Sequence, residues 1–197
     1  MRYLFLALSY LLGSLPTGYI AFRLSGGADI RQYGSRSTGA TNVFRVGGPM
    51  LALPVLVVDV LKGFFPVWLA VRLFHDPALA ACCGFVAVVG HCYPFTIRFR
   101  GGKGVATALG AFIALGWAPL LVSVAVFLLA VGITRYVSLG SILAAAAYPL
   151  SLLFAFHGPR AVVLWSLAVS ILIIIRHKTN VRRLLSGSER KLGEKTS

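Results

Sequence analysis

Apolar residues fall in long runs along this chain, broken by short polar segments. A helix needs about 20 such residues to cross roughly 30 Å of hydrocarbon, fewer where the bilayer thins or the helix is half-buried in protein. Seven stretches meet or approach that length, and they predict spans over residues 3–24, 50–71, 78–97, 105–116, 120–134, 137–156 and 161–175. The fourth and fifth adjoin, so they form either one long helix or a hairpin turning at Gly116-Trp117-Ala118-Pro119. Basic residues near span ends stay on the cytoplasmic side, which arbitrates. With the hairpin, fifteen of the 19 Lys and Arg share one side, three lie on the other and Lys62 sits inside the second span. The pattern therefore predicts an all-α, seven-span, polytopic membrane protein with its N-terminus outside and its C-terminus in the cytoplasm. The first stretch reads as a retained span, since it has one leading Arg2, runs too long for a signal peptide and lacks a small-residue cleavage site.

Composition agrees. Of 197 residues 58% are hydrophobic and 12% charged, with a net charge of +14 and a mean hydropathy of +0.85, whereas soluble domains carry about 25% charged residues. One membrane domain over residues 1–197 is expected, ending in a basic tail over 176–197. Asp29, Asp59, Asp76, Glu189 and Glu194 are the only carboxylates, too few for a metal site of clustered acids. Cys82, Cys83 and Cys92 lie in one apolar stretch without zinc-type spacing and read as small buried hydrophobes. No metal, cofactor, nucleic acid or oligomeric partner is implied.

The polar residues concentrate in three segments that the charge rule places on one face. The first, residues 34–45 (GSRSTGATNVFR), offers hydroxyls, amides and guanidinium forks to a phosphate or acyl oxygen. It is equally composed as a solvated loop with Gly, Ser and Asn turns. The second, residues 90–107 (GHCYPFTIRFRGGKGVAT), sets Gly101, Gly102 and Gly104 around Lys103 just before a helix start. Free N–H groups and the positive dipole end make that an anion cradle, although its spacing is not that of a Walker A loop; a flexible basic turn is the plain alternative. The third, residues 176–185 (RHKTNVRRLL), puts His177 and Asn180 on one helix face, with Arg176 and Arg183 nearby. A polybasic anchor on anionic membrane lipids explains the arginines but not the His and Asn.

Five further polar positions carry open alternatives. Ser138 and Ser141 lie three apart at the start of the sixth span, where a hydroxyl caps the helix, the favoured role for Ser138, or reaches a ligand. Asp59 and Lys62 lie three apart inside the second span and either pair to stabilise the bundle or serve the site. His91 either lines the cavity or is satisfied by a neighbouring carbonyl.

At these three segments, in that order and between apolar spans, the chain resembles the bacterial acyl-phosphate:glycerol-3-phosphate acyltransferases, the PlsY family. The third run extends to RHKTNVRRLLSGSE, and the GSLPTGYI of the first span and the DVLKG of the second add to the likeness, which covers nearly the whole chain. The resemblance implies transfer of a fatty acyl group from acyl phosphate to the sn-1 hydroxyl of glycerol 3-phosphate, giving lysophosphatidic acid and phosphate. It also implies a multi-pass protein of the bacterial cytoplasmic (inner) membrane with its site on the cytoplasmic face. Phosphate binding carries over to Gly101, Gly102, Lys103 and Gly104. The family's Ser and Arg carry to Ser35 and Arg45, and its His and Asn to His177 and Asn180, with Thr38, Asn42, Arg176 and Arg183 as neighbours. Ser35, Lys103, His177 and Asn180 are then the expected catalytic residues.

With so few carboxylates near these segments no Ser-His-Asp relay can be assembled. Direct attack of the glycerol hydroxyl on the acyl carbonyl, a substrate phosphate oxygen taking the proton, is the expected route, and an acyl-Ser35 intermediate is the minor alternative. Two rival classes remain: a phospholipid-head-group transferase, which would want more intramembrane acids, and a transporter of phosphorylated glycerol or lysolipid.

Overall fold

The apolar stretches are all helical in the computed structural model, which describes residues 1–194 and has no strand among them. Residues 195–197 of the basic tail lie outside the described residues. The first stretch is two helices, α1 (Arg2–Gly13) and α2 (Thr17–Leu24). They are separated at Pro16, which has no N–H to continue the ladder. The carbonyl of Leu15, left at this break, accepts a hydrogen bond from Lys62 Nζ at 2.8 Å. A short helix, α3 (Ala40–Gly47), begins within the first polar segment, for which the sequence pattern predicts no helix.

The bundle continues through α4 (Pro49–Phe74) and α5 (Pro77–Cys92), the latter capped by Asp76, which accepts from the N–H groups of Ala78 and Leu79. Then come α6 (Val105–Leu115), α7 (Trp117–Thr134), α8 (Val137–Phe154), α9 (Arg160–Arg176) and α10 (Lys178–Leu185). Five segments are long and apolar enough to cross a membrane: Arg2–Leu24, Pro49–Phe74, Pro77–Ile97, Trp117–Thr134 and Val137–Phe154. Helix α9 passes the same test only when taken together with α10, from which it is bent by 58°, which makes up to six among the described residues. The fourth expected span is shorter than a crossing, because the 11 residues of α6 cover only about 16 Å at ~1.5 Å per residue.

The chain reverses between α6 and α7, so the hairpin describes this region and one long helix does not. Tyr148 of α8 lies against the end of α6, its hydroxyl 3.4 Å from Phe112 O and 3.5 Å from Gly116 O. Further along α7, Phe127 and Val131 flank Gly140 near the start of α8, so α7 runs back toward the level from which α6 set out.

Helices α4 and α6 meet backbone to backbone. A Cβ on Gly63 would lie 1.9 Å from Thr107 O, and one on Gly110 would lie 1.9 Å from Val60 O. In a bilayer, where burial of apolar surface gives helices no reason to associate, such small-residue contacts supply close packing. Here they hold the Asp59–Lys62 turn of α4 at the level of the first turns of α6.

Candidate active site

At the polar end of the bundle the three polar segments converge on a cavity of about 470 Å³, within the usual range for a small-molecule site. Each segment is held by a specific set of bonds.

In the first segment the organiser is Asn42, which is fully buried. Its amide donates to Ser37 O at 2.8 Å and Tyr33 O at 3.1 Å, while its Oδ1 accepts from the Ser35 N–H at 2.7 Å. Asn42 thus reaches the cavity wall with its amide already engaged, and its effect is to place Ser35 there. The segment is tied to the second through Arg31, which pairs with Asp29 at 2.6 Å and donates to Ile97 O at 2.8 Å. Arg45, on α3, lines the cavity and has no hydrogen-bond or ion-pair partner among the described residues.

The second segment is built differently from the expected cradle. Gly101 N–H donates to Cys92 O at 3.2 Å and Gly102 N–H to His91 O at 3.1 Å, while Arg176 grips their carbonyls from Nε and Nη2 at 3.1 and 3.2 Å. Both glycines are buried, neither lines the cavity, and their N–H groups are occupied. The absent side chain at 102 makes room for protein, since a Cβ there would lie 2.1 Å from His91 Nε2. What this clamp delivers to the cavity is Lys103, Gly104 and the first turn of α6, whose N–H groups have no intrahelical partner. Gly104, with φ +86°, takes a left-handed turn that starts the helix there. Lys103, like Arg45, has no ion-pair partner among the described residues.

The third segment adds two polar walls. His177 is buried, and its Nδ1–H donates to Ile173 O at 2.8 Å, which leaves Nε2 as an acceptor. Burial, reinforced by the nearby charge of Lys103, pushes its pKa down to about 4, so the ring is neutral near pH 7. Beyond α10 the chain folds back, Ser188 and Glu189 N–H both donating to Arg183 O. Glu189 then enters the cavity wall. Its Oε1 accepts from Ser138 Oγ and Asn180 Nδ2, each at 2.7 Å, and its Oε2 accepts from Arg183 Nε at 2.7 Å. Burial pushes this carboxyl up, but those three donors outweigh it and hold it below the usual range.

Ser35, Asn42, Arg45, His91, Lys103, Gly104, Ser141, His177 and Asn180 therefore line one cavity. Thr38, Gly101, Gly102, Arg176 and Arg183 stand behind it. Ser138 does not cap its helix, because its hydroxyl is drawn to Glu189 instead. Asp59 and Lys62 do pair, at 2.7 Å, and Asp59 also reaches the cavity wall. His91 finds no carbonyl; its Nδ1 lies 3.5 Å from Asp59 Oδ1. Sequence reasoning missed Glu189, although it closes the SGSE run. A carboxylate four residues past the basic segment 176–185 reads as solvated, and only the fold-back shows otherwise.

Toward the bundle interior the cavity becomes apolar, walled by residues such as Leu56, Leu109, Val124 and Phe127. One cavity thus joins unpaired cations to a hydrocarbon-like arm, which is the shape of a membrane site for a phosphorylated amphiphile.

The relatives agree with that class. A family model described as Glycerol-3-phosphate acyltransferase matches residues 3–187. A protein named Glycerol-3-phosphate acyltransferase from Syntrophotalea carbinolica is 46% identical over 190 residues, 96% of each chain. Its namesake from Photobacterium profundum is 47% identical over 189 residues, 96% of this chain and 92% of the relative. Two crystal structures of PlsY, an integral membrane glycerol 3-phosphate acyltransferase, superpose on nearly the whole fold. The glycerol 3-phosphate form has a TM-score of 0.93 at 40% identity, covering 98% of this chain and 96% of that one. The lysophosphatidic acid form has a TM-score of 0.90 at 39% identity, covering 98% and 95%. The chain is an integral membrane protein and belongs to the glycerol-3-phosphate acyltransferase family.

Lys103 yields a pH signature. Burial, with help from Arg183 and Arg45, lowers its pKa to about 8, so its charge is present below pH 8 and lost above it. Affinity for a phosphate-bearing ligand is expected to fall as pH rises through about 8, and Lys103→Arg should move that fall upward. Titration calorimetry with glycerol 3-phosphate across this range checks it; an unchanged midpoint in the Arg variant would assign the fall to another group.

Proposed function

We propose that the protein transfers a fatty acyl group from acyl phosphate to the sn-1 hydroxyl of glycerol 3-phosphate, releasing lysophosphatidic acid and inorganic phosphate. The observation that carries this reading is the single cavity in which Lys103 and Arg45, both unpaired among the described residues, adjoin an apolar arm. Both substrates are phosphorylated and one has a fatty chain, so this cavity suits their joint binding.

In the reaction the glycerol oxygen forms a bond to the acyl carbon, the acyl–phosphate C–O bond breaks, and the hydroxyl proton passes to a phosphate oxygen. Lys103, Arg45 and the first-turn N–H groups of α6 hold the phosphates and stabilise charge developing between them. Ser35 and Asn180 orient the hydroxyl or the oxyanion. His177 presents Nε2 to the same space, but with a pKa of about 4 it is a weaker base than a phosphate monoester, whose second pKa is about 6. Proton transfer to substrate phosphate is therefore favoured, with His177 as a hydrogen-bonding group. The glycine clamp and the Asp59 cluster act on the reaction through the placement of Lys103.

The same reading gives one acyltransferase domain over residues 1–197 in the bacterial cytoplasmic membrane. It has seven helical passes, α6 being a half-length one, with the N-terminus outside and the three polar segments on the cytoplasmic face. The excess of basic residues on that face supports it.

The decisive experiment supplies purified protein with labelled glycerol 3-phosphate and, separately, acyl phosphate, acyl-CoA or acylated carrier protein. Labelled lysophosphatidic acid is expected with acyl phosphate alone; movement of label across sealed vesicles without turnover would favour transport. In that assay His177→Asn should keep an acid limb near pH 6, at about ten- to a hundredfold lower rate, the loss of one hydrogen bond to a charged group. Disappearance of the limb would make His177 the base. For the topology, cysteines introduced at Ser37 and Gly187 should react only from the cytoplasm and one at His157 only from outside. Labelling of all three from one side would refute the seven passes.

A further inference from the structure

We propose that the apolar arm of the cavity measures the acyl chain, and that Phe112, backed by Tyr148, is its stop. This rests on the acyl-phosphate reading above and adds to it a determinant of chain length. Two walls of the arm, α6 and α8, each present an alanine to the cavity one turn before a large ring, with Val105 and Leu109 of α6 lining it as well. On α6, Ala108 faces the cavity one turn before Phe112; on α8, Ala144 and Ala145 face it one turn before Tyr148. At that depth both helices carry a large ring, and the two stack with centroids 3.7 Å apart and planes 3° from parallel. The Phe112 ring lines the cavity, and Tyr148 lies fully buried behind it.

This floor is braced. The Tyr148 hydroxyl lies within reach of the carbonyls of Phe112 and Gly116, where the chain reverses, so the ring is tied to the helix end it supports. Leu120, the first cavity-lining residue of α7, packs on the same cluster and closes the third side. From Gly104 to Phe112 is eight residues, about 12 Å along α6, which sets the straight run available below the phosphate end. A chain too long for that run meets a stacked aromatic pair held on both sides, and close-packed interiors do not yield to an extra methylene without strain. The alanines above are the complementary device, since a larger side chain there would raise the floor.

The test measures kcat/KM for saturated acyl phosphates of increasing length, with the native protein, Phe112→Ala and Ala144→Leu. Phe112→Ala should shift the optimum to longer chains, the long-to-short ratio rising by on the order of tenfold for each methylene the deeper arm accepts. Ala144→Leu should shift it to shorter ones, and it decides alone if the Phe112 variant does not fold. Active variants with the native length profile would overturn the stop and show that the chain leaves sideways between helices. A native protein that turns over no acyl phosphate of any length would instead overturn the acyl-transfer reading, and the stop with it. A native protein active on acyl phosphates whose optimum moves in opposite directions in the two variants would establish it.

Discussion

Asp59 is the residue on which the polar end of the bundle closes. A carboxylate buried inside a membrane helix is tolerable only when surrounding groups donate to it. Thr17 from α2 and Lys62 from its own helix do so, and His91 from α5 lies at 3.5 Å. Lys62 spends a second hydrogen on Leu15 O, at the break between α1 and α2, where the Thr17 N–H also donates at 3.0 Å. The break between α1 and α2, the tilt of His91 and the seat of Gly102 against its ring are linked through this one side chain.

A second carboxylate does comparable work on the opposite wall. Glu189 gathers Ser138, Asn180 and Arg183, and with them α8 and α10. Because its oxygens are engaged by donors from the protein, its charge is largely spent. The cavity-lining cations without partners among the described residues are Lys103 and Arg45, so the cavity keeps a positive field although two acids lie in its wall. Selectivity for anions follows from which charges are already matched, more than from how many basic residues the chain contains.

Much of this was legible in the sequence. Long apolar runs fix helices with little ambiguity, because a bilayer admits few other folds for them. The three polar segments stood out of place among such runs, and their family resemblance singled out Ser35, Arg45, Lys103, His177 and Asn180, which all line the cavity. What could not be read is where each donor goes. Gly101 and Gly102 have the composition of a phosphate cradle, yet their N–H groups are taken by His91 and Cys92 carbonyls from the preceding helix, a pairing that spacing alone does not encode. Ser138 has the position of a cap but lies beside an acid 51 residues away. The helix α3 escaped notice because its glycine- and hydroxyl-rich surroundings favour turns, and its packing against α4 overrides that preference. The shortness of α6 was legible too, since its apolar run ends at Gly116, and a helix flanked by protein on several sides can stop halfway.

The fold-back that delivers Glu189 has a bearing on biogenesis. This residue is made after all ten helices, and α8 and α10 present Ser138 and Asn180 without their acceptor until it arrives. Leu192 then latches the segment to the α7–α8 turn, its N–H and carbonyl both bonded to Arg135. A chain still threading into the bilayer therefore has the cationic half of its site before it has the wall that shapes it. If the donor is an acyl phosphate, a mixed anhydride that water attacks readily, late closure keeps a half-built enzyme from holding such a reagent in an unformed pocket and squandering it.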